Sequence, residues 1–459
     1  MSQNRTMTPS LPPVSITPTT NPLLSGPIAA TLWRLSLPNM VAMLATALVS
    51  VAETGYVGQL GTAALAGIAL VFPMIMLQQM LSAGSIGGGI SAAISRALGA
   101  GHPARAESLA LHAVVIGVVT GLFFTALFLV AGEDIYQLMG GQGEALAQAL
   151  AYSNVAFLGA VLIWLTNALA SVIRGSGNMK VPSYVLFGVA LLQVVLGGVL
   201  GLGLGPAPRM GMAGVAWGQV IAYAAGTVFF LFYVRSGRSR VRLVFSHPLH
   251  QTDFMDILRV GGMSSLSSLQ TVLTILILTR IVSRFGTEAL AGYGVGVRLE
   301  FLLIPITFAI GVACVPMVGM AIGAGQVQRA RQVAWTGAIF SAAIVGCVGL
   351  FAALMPNLWT ELFTRDASVI HYAGLYFAWV GPVYAFFAFG LCLYFSSQGA
   401  GKLLGPVLAG TLRLVLVAVG GWYLVDAGAP VWQMFALIGM AMVAYGIMTG
   451  FAVYRVRWG

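Results

Sequence analysis

Two carboxylates, Glu53 and Glu300, are the residues of this sequence best placed to do chemistry. Both sit well inside long apolar runs, whereas the rest of the twelve acidic residues fall in or beside polar breaks. A charge at the centre of a bilayer costs on the order of 2.5 to 3.5 kcal/mol on insertion scales, so such a residue normally faces a bundle interior or a wet cavity. A carboxyl held there can take a proton on one side and release it on the other, or hold sodium with neighbouring hydroxyl and amide oxygens. Asn39, Thr46, Ser50 and Glu53 are separated by seven, four and three residues and so share one helix face, which is expected to look into the first bundle. The plainer alternative for Glu53 is a structural carboxyl hydrogen-bonded to its neighbours near the outer interface. Glu300 follows Arg298 by two residues and leaves the helix on another face, so each needs a partner elsewhere. For Glu300 that partner is an arginine such as Arg280 or Arg413, or a cation in a cleft. Gln193, Thr271 and Arg298 complete the candidate cavity residues.

Other chemistries find little support. Cys314, Cys347 and Cys392 lie in apolar segments without paired spacing and read as small buried hydrophobes. The histidines form neither a metal set nor a hydrolase dyad. The phosphate-cradling G-x-x-x-x-G-K-[ST] pattern is missing, so direct ATP drive is not expected. These readings exclude an enzyme, a resident cofactor and a metal, leaving a proton or sodium ion as the expected coupling species.

The elements that carry the two acids follow from composition. The chain has 459 residues, 59% hydrophobic and only 7% charged, with mean hydropathy +0.93, which is outside the range of soluble globular domains. Apolar runs long enough to cross roughly 30 Å of hydrocarbon recur throughout, and they lack the alternation of barrel strands. Breaking them at loop signals predicts spans near 30–56, 63–95, 106–131, 146–172, 183–203 and 212–234, then 257–282, 289–321, 330–355, 369–396, 403–425 and 431–454. The expected fold is an all-α membrane protein of twelve transmembrane helices in two six-helix bundles. Residues 1–26, rich in Pro, Thr and Ser, read as a disordered tail; 27–234 and 257–459 form the two lobes, and 235–256 is a basic linker. The net charge of +10 is scattered over short loops rather than gathered on a soluble face, so nucleic acid is not an expected partner. The lipid bilayer and a small-molecule cargo are, with the protein a monomer.

Loops carrying Arg96, Arg105, Arg174, Lys180, Arg235, Arg238, Arg329 and Lys402 share one side, while Glu133, Asp134, Glu144, Glu288, Glu361, Asp366 and Asp426 lie on the other. The positive-inside rule puts the basic side and both termini in the cytoplasm, with a bacterial inner membrane as the expected location.

Three segments of the first half recur in order in the second. GTAALAG (61–67) matches GTEALAG (286–292), LGAGHPARA (98–106) matches IGAGQVQRA (322–330), and GSGNMKVP (175–182) matches GAGKLLGP (399–406). The offset is 286 − 61 = 225 for the first pair and 323 − 99 = 399 − 175 = 224 for the others. Six spans per half is an even number, so both copies enter from the same side and are related by a pseudo-two-fold along the membrane normal. Taken singly, these motifs are ordinary turn and capping devices, and the duplication carries the information. Two bundles facing a cleft suit alternating access.

These residues resemble the multidrug and toxic compound extrusion family, over most of residues 27 to 456. VAETGYVGQLG (51–61) sits at that family's first-helix acid motif, SRALGAGHPARA (95–106) follows the second helix, and VIRGSGNMKVP (172–182) resembles its R-G-x-G-x-x-x-x-P loop. YGVGVRLE (293–300) and VPMVGMAIGAG (315–325) look like the second-half counterpart of one bacterial branch. The resemblance implies secondary active efflux of cationic or amphipathic small molecules against protons or sodium, through a cleft between the lobes. The sequence departs from the family in having Glu53 where Asp is usual. LLQVVLGG (191–198) offers Gln193 in place of a fifth-helix carboxylate, and Thr271 and Phe387 stand near acid positions of other branches. A flippase for lipid-linked saccharides, of the same superfamily, is the alternative, for which Arg298 and Arg413 are the available cleft cations.

In a cysteine-free background, a cysteine introduced beside Arg238 is expected to resist a membrane-impermeant thiol reagent in intact cells and to react in inside-out vesicles. Labelling from outside intact cells would reverse the orientation.

Overall fold

The structure is a computed structural model that describes residues 21–458, and every regular element among them is helical. The apolar helices are α1 (Ile28–Gly58), α2 (Thr62–Gly99), α3 (Pro103–Leu138), α4 (Gly143–Leu158 and Ala160–Gly175), α5 (Lys180–Leu202) and α6 (Gly211–Arg235), followed by α7 (Gln251–Phe285), α8 (Thr287–Gly323), α9 (Val327–Leu354), α10 (Ala367–Ala400), α11 (Leu404–Asp426) and α12 (Val431–Arg455). The predicted twelve spans are met when the two pieces of α4, bent by 48°, are taken as one. Gly159 stands at that bend, pressed against Val220, and the Phe157 carbonyl beside it accepts the Thr125 hydroxyl at 2.7 Å. A broken helix in hydrocarbon needs this kind of substitute partner.

Two boundaries differ from the sequence reading. The tail expected over 1–26 lies mostly outside the described residues, yet Pro22–Ser25 forms a helical turn capped by the Asn21 side chain. Leu23 is buried there, and Arg329 donates to the Leu23 and Gly26 carbonyls at 3.0 and 2.6 Å. The linker expected over 235–256 ends early because α7 starts at Gln251, with Asp253 in its first turn, where the helix dipole favours an acid.

The repeat is visible in backbone angles. Gly61 and Gly286 start α2 and α8 with φ of 118° and 110°, and Gly101 and Gly325 turn at 76° and 73°. These are conformations that a side chain at Cβ disfavours, which is why glycine recurs there. The single-residue drift of the repeat also has a place. Residues Met80–Ile86 of α2 form a π-helical segment, and α8 has none. One extra residue wound into α2 explains why the offset is 225 before it and 224 after it.

The lobes meet near the basic ends of their helices. Gly99 is pressed on the Met320 carbonyl and Gly323 on the Arg96 carbonyl. Since 96 + 224 = 320 and 99 + 224 = 323, these are one contact made twice about the pseudo-axis. Gly319 and Ser95, also 224 apart, touch on the axis itself. Beside this seam, Gly89 packs on Gly261, and Leu32 and Met40 of α1 join a core with Ala313, Cys314 and Met317 of α8. The outer halves of the same helices pack within their own lobes, as where Tyr56 rests on Gly197 and Gly198 and where Ile281 meets Gly421. The cleft between the lobes therefore opens toward the acidic face.

Gly99→Ala and Gly323→Ala are each expected to destabilise the protein by about 1–3 kcal/mol through overpacking, read as a lowered melting temperature in detergent. Gly188→Ala, at a position with no neighbouring atom within 4 Å of the added methyl, should melt like the parent. Equal melting of all three would mean the seam is not close-packed.

Candidate functional site

In the first lobe, α1 presents Glu53 to α5, where the Gln193 Nε2 donates to Glu53 Oε1 at 2.7 Å. The register of α5 is set by glycine packing. Gly197 and Gly201 face Gly218 and Val215 of α6, so the two backbones nearly touch, as small-residue spacing of four permits. One turn beyond Glu53, Tyr56 is buried with its hydroxyl against Gly197 and has no hydrogen-bond partner among the described residues. Tyr152 and Tyr223 lie within electrostatic reach of Glu53. Tyr152 donates to Gln219 at 2.9 Å, while Gln79 donates to Tyr223 at 2.8 Å and accepts from Asn167 at 3.2 Å. Asn167 also donates to Ser82, inside the π segment, at 2.8 Å. A chain of amides, hydroxyls and phenols thus lines the lobe interior around one carboxylate.

The polar stripe of α1 does not act as a unit. Asn39 is buried and unpartnered on both amide atoms, at the turn after Pro38. Thr46 is exposed, and its hydroxyl bonds the Ala42 carbonyl of its own helix at 3.0 Å. Ser50 is half-buried. A threonine that satisfies itself on the preceding turn can face outward at little cost, so common helical spacing did not require a common site.

In the second lobe, Glu300 of α8 accepts a short hydrogen bond from the Tyr376 hydroxyl of α10. With Thr307, Val345, Tyr384 and Phe387, it lines a cavity of about 10 Å³, room for roughly one water. The expected arginine pair is not formed. Arg413 lies within electrostatic reach of Glu300 but sits 4.7 Å from the centre of the Phe387 ring, and Arg280 is exposed. Arg298 also departs from expectation. It is exposed, stacked 4.9 Å over Phe363, and does not line this cavity. Thr271 bonds its own helix at Ser267, 2.9 Å away. Both arginines found an aromatic face, an alternative partner that sequence spacing does not reveal.

A third cluster, unforeseen from sequence, bridges the lobes at the basic face. Arg96 at the end of α2 pairs with Asp256 of α7 at 2.6 Å and donates to the Gly399 carbonyl at 3.2 Å. Arg105 of α3 reaches Asp253 at 3.4 Å and Asp256 at 3.0 Å, and Ser108 donates to Asp253 at 2.8 Å. His112 donates from Nδ1 to its own Ser108 carbonyl at 2.7 Å and accepts the His250 N–H on Nε2 at 2.9 Å. Arg105 and Arg329 are 224 apart, so the clasp is reciprocal. Each lobe's third helix holds the chain at the start of the other lobe's first helix. The available signal was that Glu107, Asp253 and Asp256 are acids on an otherwise basic face, where each has an ionic partner.

Comparison with known proteins places these features in context. The family model described as MatE matches residues 38–199 and 264–423, one stretch in each lobe. A protein of Shewanella oneidensis described as an FAD transporter is 25% identical over 356 residues, covering 77% of this chain and 78% of that protein. One of Thermotoga maritima described as the probable multidrug resistance protein NorM is 26% identical over 381 residues, covering 82% and 81%. Among solved structures, a MOP superfamily transporter from Pyrococcus furiosus superposes with a TM-score of 0.83 at 26% identity, over 95% of this chain and 97% of that one. Its description links a reversed polarity of the binding pocket to a different function.

Asp256→Asn is expected to raise, several-fold, the rate at which a water-soluble thiol reagent modifies a cysteine placed at Ser95, because the clasp no longer holds the lobes together. Exchanging the charges, Arg96→Asp with Asp256→Arg, should bring the rate part of the way back to the parental value, since Arg105 also loses its Asp256 partner. No return toward the parental value would mean that Asp256 acts on the seam without Arg96.

Proposed function

This chain belongs to the MatE family of multidrug efflux transporters, and we propose that it exports amphipathic small molecules against an inward flow of protons or sodium through Glu53. The observation that carries this reading is the bond from Gln193 to Glu53. An acid inside a lobe is tied to the neighbouring helix by a neutral partner, so its charge is left for an ion to neutralise. When Glu53 takes a proton it still offers an oxygen to Gln193, and its new O–H needs an acceptor. The unpartnered Tyr56 hydroxyl, one turn away, supplies one. Sodium would instead draw on the carboxylate and on the hydroxyl and amide oxygens nearby. Loading therefore rearranges the contacts of α1 with α5, and α1 also packs on α8 across the lobe seam.

On this reading the basic face is cytoplasmic, both termini lie there, and the protein sits as a monomer in a bacterial inner membrane. The clasped state is open to the outside. Release of the clasp and rocking of the lobes about the seam would open the cleft to the cytoplasm for cargo. Glu300, bonded to a phenol beside a small cavity, is the second candidate for ion coupling.

In proteoliposomes carrying an imposed proton or sodium gradient, uptake of the cationic dye ethidium should be driven by one of the two. Glu53→Gln should abolish that drive while leaving folding intact. Unchanged uptake in Glu53→Gln would move coupling away from Glu53, and a parental protein indifferent to both gradients would overturn ion-driven export.

A further inference from the structure

A small cavity lies on the pseudo-two-fold axis where the lobes meet, and its lining comes in repeat-related pairs. Gly88 and Val312, Ser91 and Val315, Ser171 and Phe395, and Arg174 and Gln398 all line it, each pair 224 residues apart. The backbones match as well. Gly175 is packed on the Ser91 carbonyl in one lobe and Gly399 on the Val315 carbonyl in the other. The chemistry does not match, because the first lobe contributes two hydroxyls and a guanidinium where the second contributes a valine, a phenylalanine and an amide.

Arg174 is only 6% exposed, its Nε has no hydrogen-bond partner, and it joins none of the ion pairs among the described residues. Ser91 Oγ is likewise buried without a partner among the described residues, whereas the Gln398 Nε2 is held by the Gly84 carbonyl and the Ser264 hydroxyl. The arrangement needs a physical explanation, since a guanidinium cannot shed its proton and a buried charge without a counter-charge is strongly unfavourable. Among the described residues no carboxylate lies within ion-pair distance of it, and residues 1–20 contain no acidic side chain. A counter-charge brought by a ligand resolves the imbalance. The volume, about 10 Å³, admits an anionic oxygen group but not a whole organic molecule. Seven of the lining residues belong to the first lobe and four to the second, so parting of the lobes at the basic face would open the site to the body of a larger ligand.

We propose that Arg174, assisted by the Ser91 hydroxyl, is a binding subsite for an anionic oxygen group, a carboxylate or a phosphate, on the transported molecule. This rests on the reading of the cleft as the transport path and adds to it that the cargo includes molecules carrying a negative group. The unequal halves of the cavity fit that role. The polar lobe takes the charged end, and Phe395 and Val315 take the adjoining apolar surface.

The test is equilibrium binding of two dyes to the full chain in nanodiscs of zwitterionic lipid, read by fluorescence polarisation with no gradient present. Carboxyfluorescein supplies the anionic group and ethidium the cationic comparison. Arg174→Gln should weaken carboxyfluorescein binding about tenfold or more, the range expected for a lost charge-assisted contact. Ethidium binding should not change, and Arg174→Lys should recover most of the loss. Competition by acetate or by inorganic phosphate then tells which anion the subsite prefers. Equal weakening of both dyes would make Arg174 a structural residue, and carboxyfluorescein binding that is absent in the parent or unaffected by the substitution would overturn the proposal. Because no gradient is used, a failure here leaves ion-driven ethidium transport standing, and the reverse also holds.

Discussion

The contact on which this architecture depends is that of two glycines against two carbonyls. At Gly99 and Gly323 the second helix of each lobe meets the backbone of its counterpart, leaving no room for a Cβ on either side. A duplicated chain makes such a contact economically, because one short motif, Gly-Ala-Gly after a long helix, serves both halves of a self-complementary seam. The rest is arranged around it. Ser95, Gly319 and the Arg174 cavity lie on the axis, and the ionic clasps flank it on the basic side. Toward the acidic face the same helices turn to their own lobes, and the cleft opens there.

Matched backbones with unmatched side chains are what make the two lobes chemically distinct. Glu53 corresponds to Leu278 at the 225 offset, and Arg174 to Gln398 at 224. In each case an ionisable residue in one lobe has a neutral counterpart at the equivalent position of the other, so charge is carried by one member of each pair. The π segment adds a further asymmetry. One extra residue in α2 brings Ser82 to Asn167 and Ser85 to Ser268 of the other lobe at 2.8 Å, a bridge with no equivalent in α8. On the proposed reading the transporter responds to two different ligands, ion and cargo, and two identical lobes would give it only one kind of response.

Much of this was legible in the sequence. Span lengths, the repeat and the basic side follow from hydropathy, turn glycines and arginine placement, because hydrocarbon leaves the backbone few choices. Glu53 and Gln193 could each be singled out as polar residues within spans, but not their pairing with one another. What could not be read was pairing across lobes and the satisfaction of long side chains. Arg298 and Arg413 found aromatic rings rather than acids, and Thr46 bonded its own helix. Arg96 and Arg105 had been accounted for by topology alone, so their ionic partners at the start of α7 went unsought. The Arg174 cavity needed three-dimensional proximity, although the 224 offset between Arg174 and Gln398 was already in the sequence.

The energetics of closure must also be modest. Switching a two-state equilibrium from 1:99 to 99:1 takes about 5.5 kcal/mol of differential binding, which on the proposed reading the ion and cargo together supply. The clasps suit that limit. The Arg105–Asp256 pair is half and a quarter exposed, and an ion pair of that kind contributes about 0–1 kcal/mol; Arg96 and Asp253 are more deeply set and hold more strongly. The glycine seam adds shape rather than hydrogen bonds, and the lobes keep their own cores when it parts, since Tyr56, Phe157 and Trp164 pack in one and Tyr376, Phe435 and Met434 in the other. Strong cohesion within each lobe with weak cohesion between them is the condition for rigid-body rocking, which the proposed loading of Glu53 would then need only to bias.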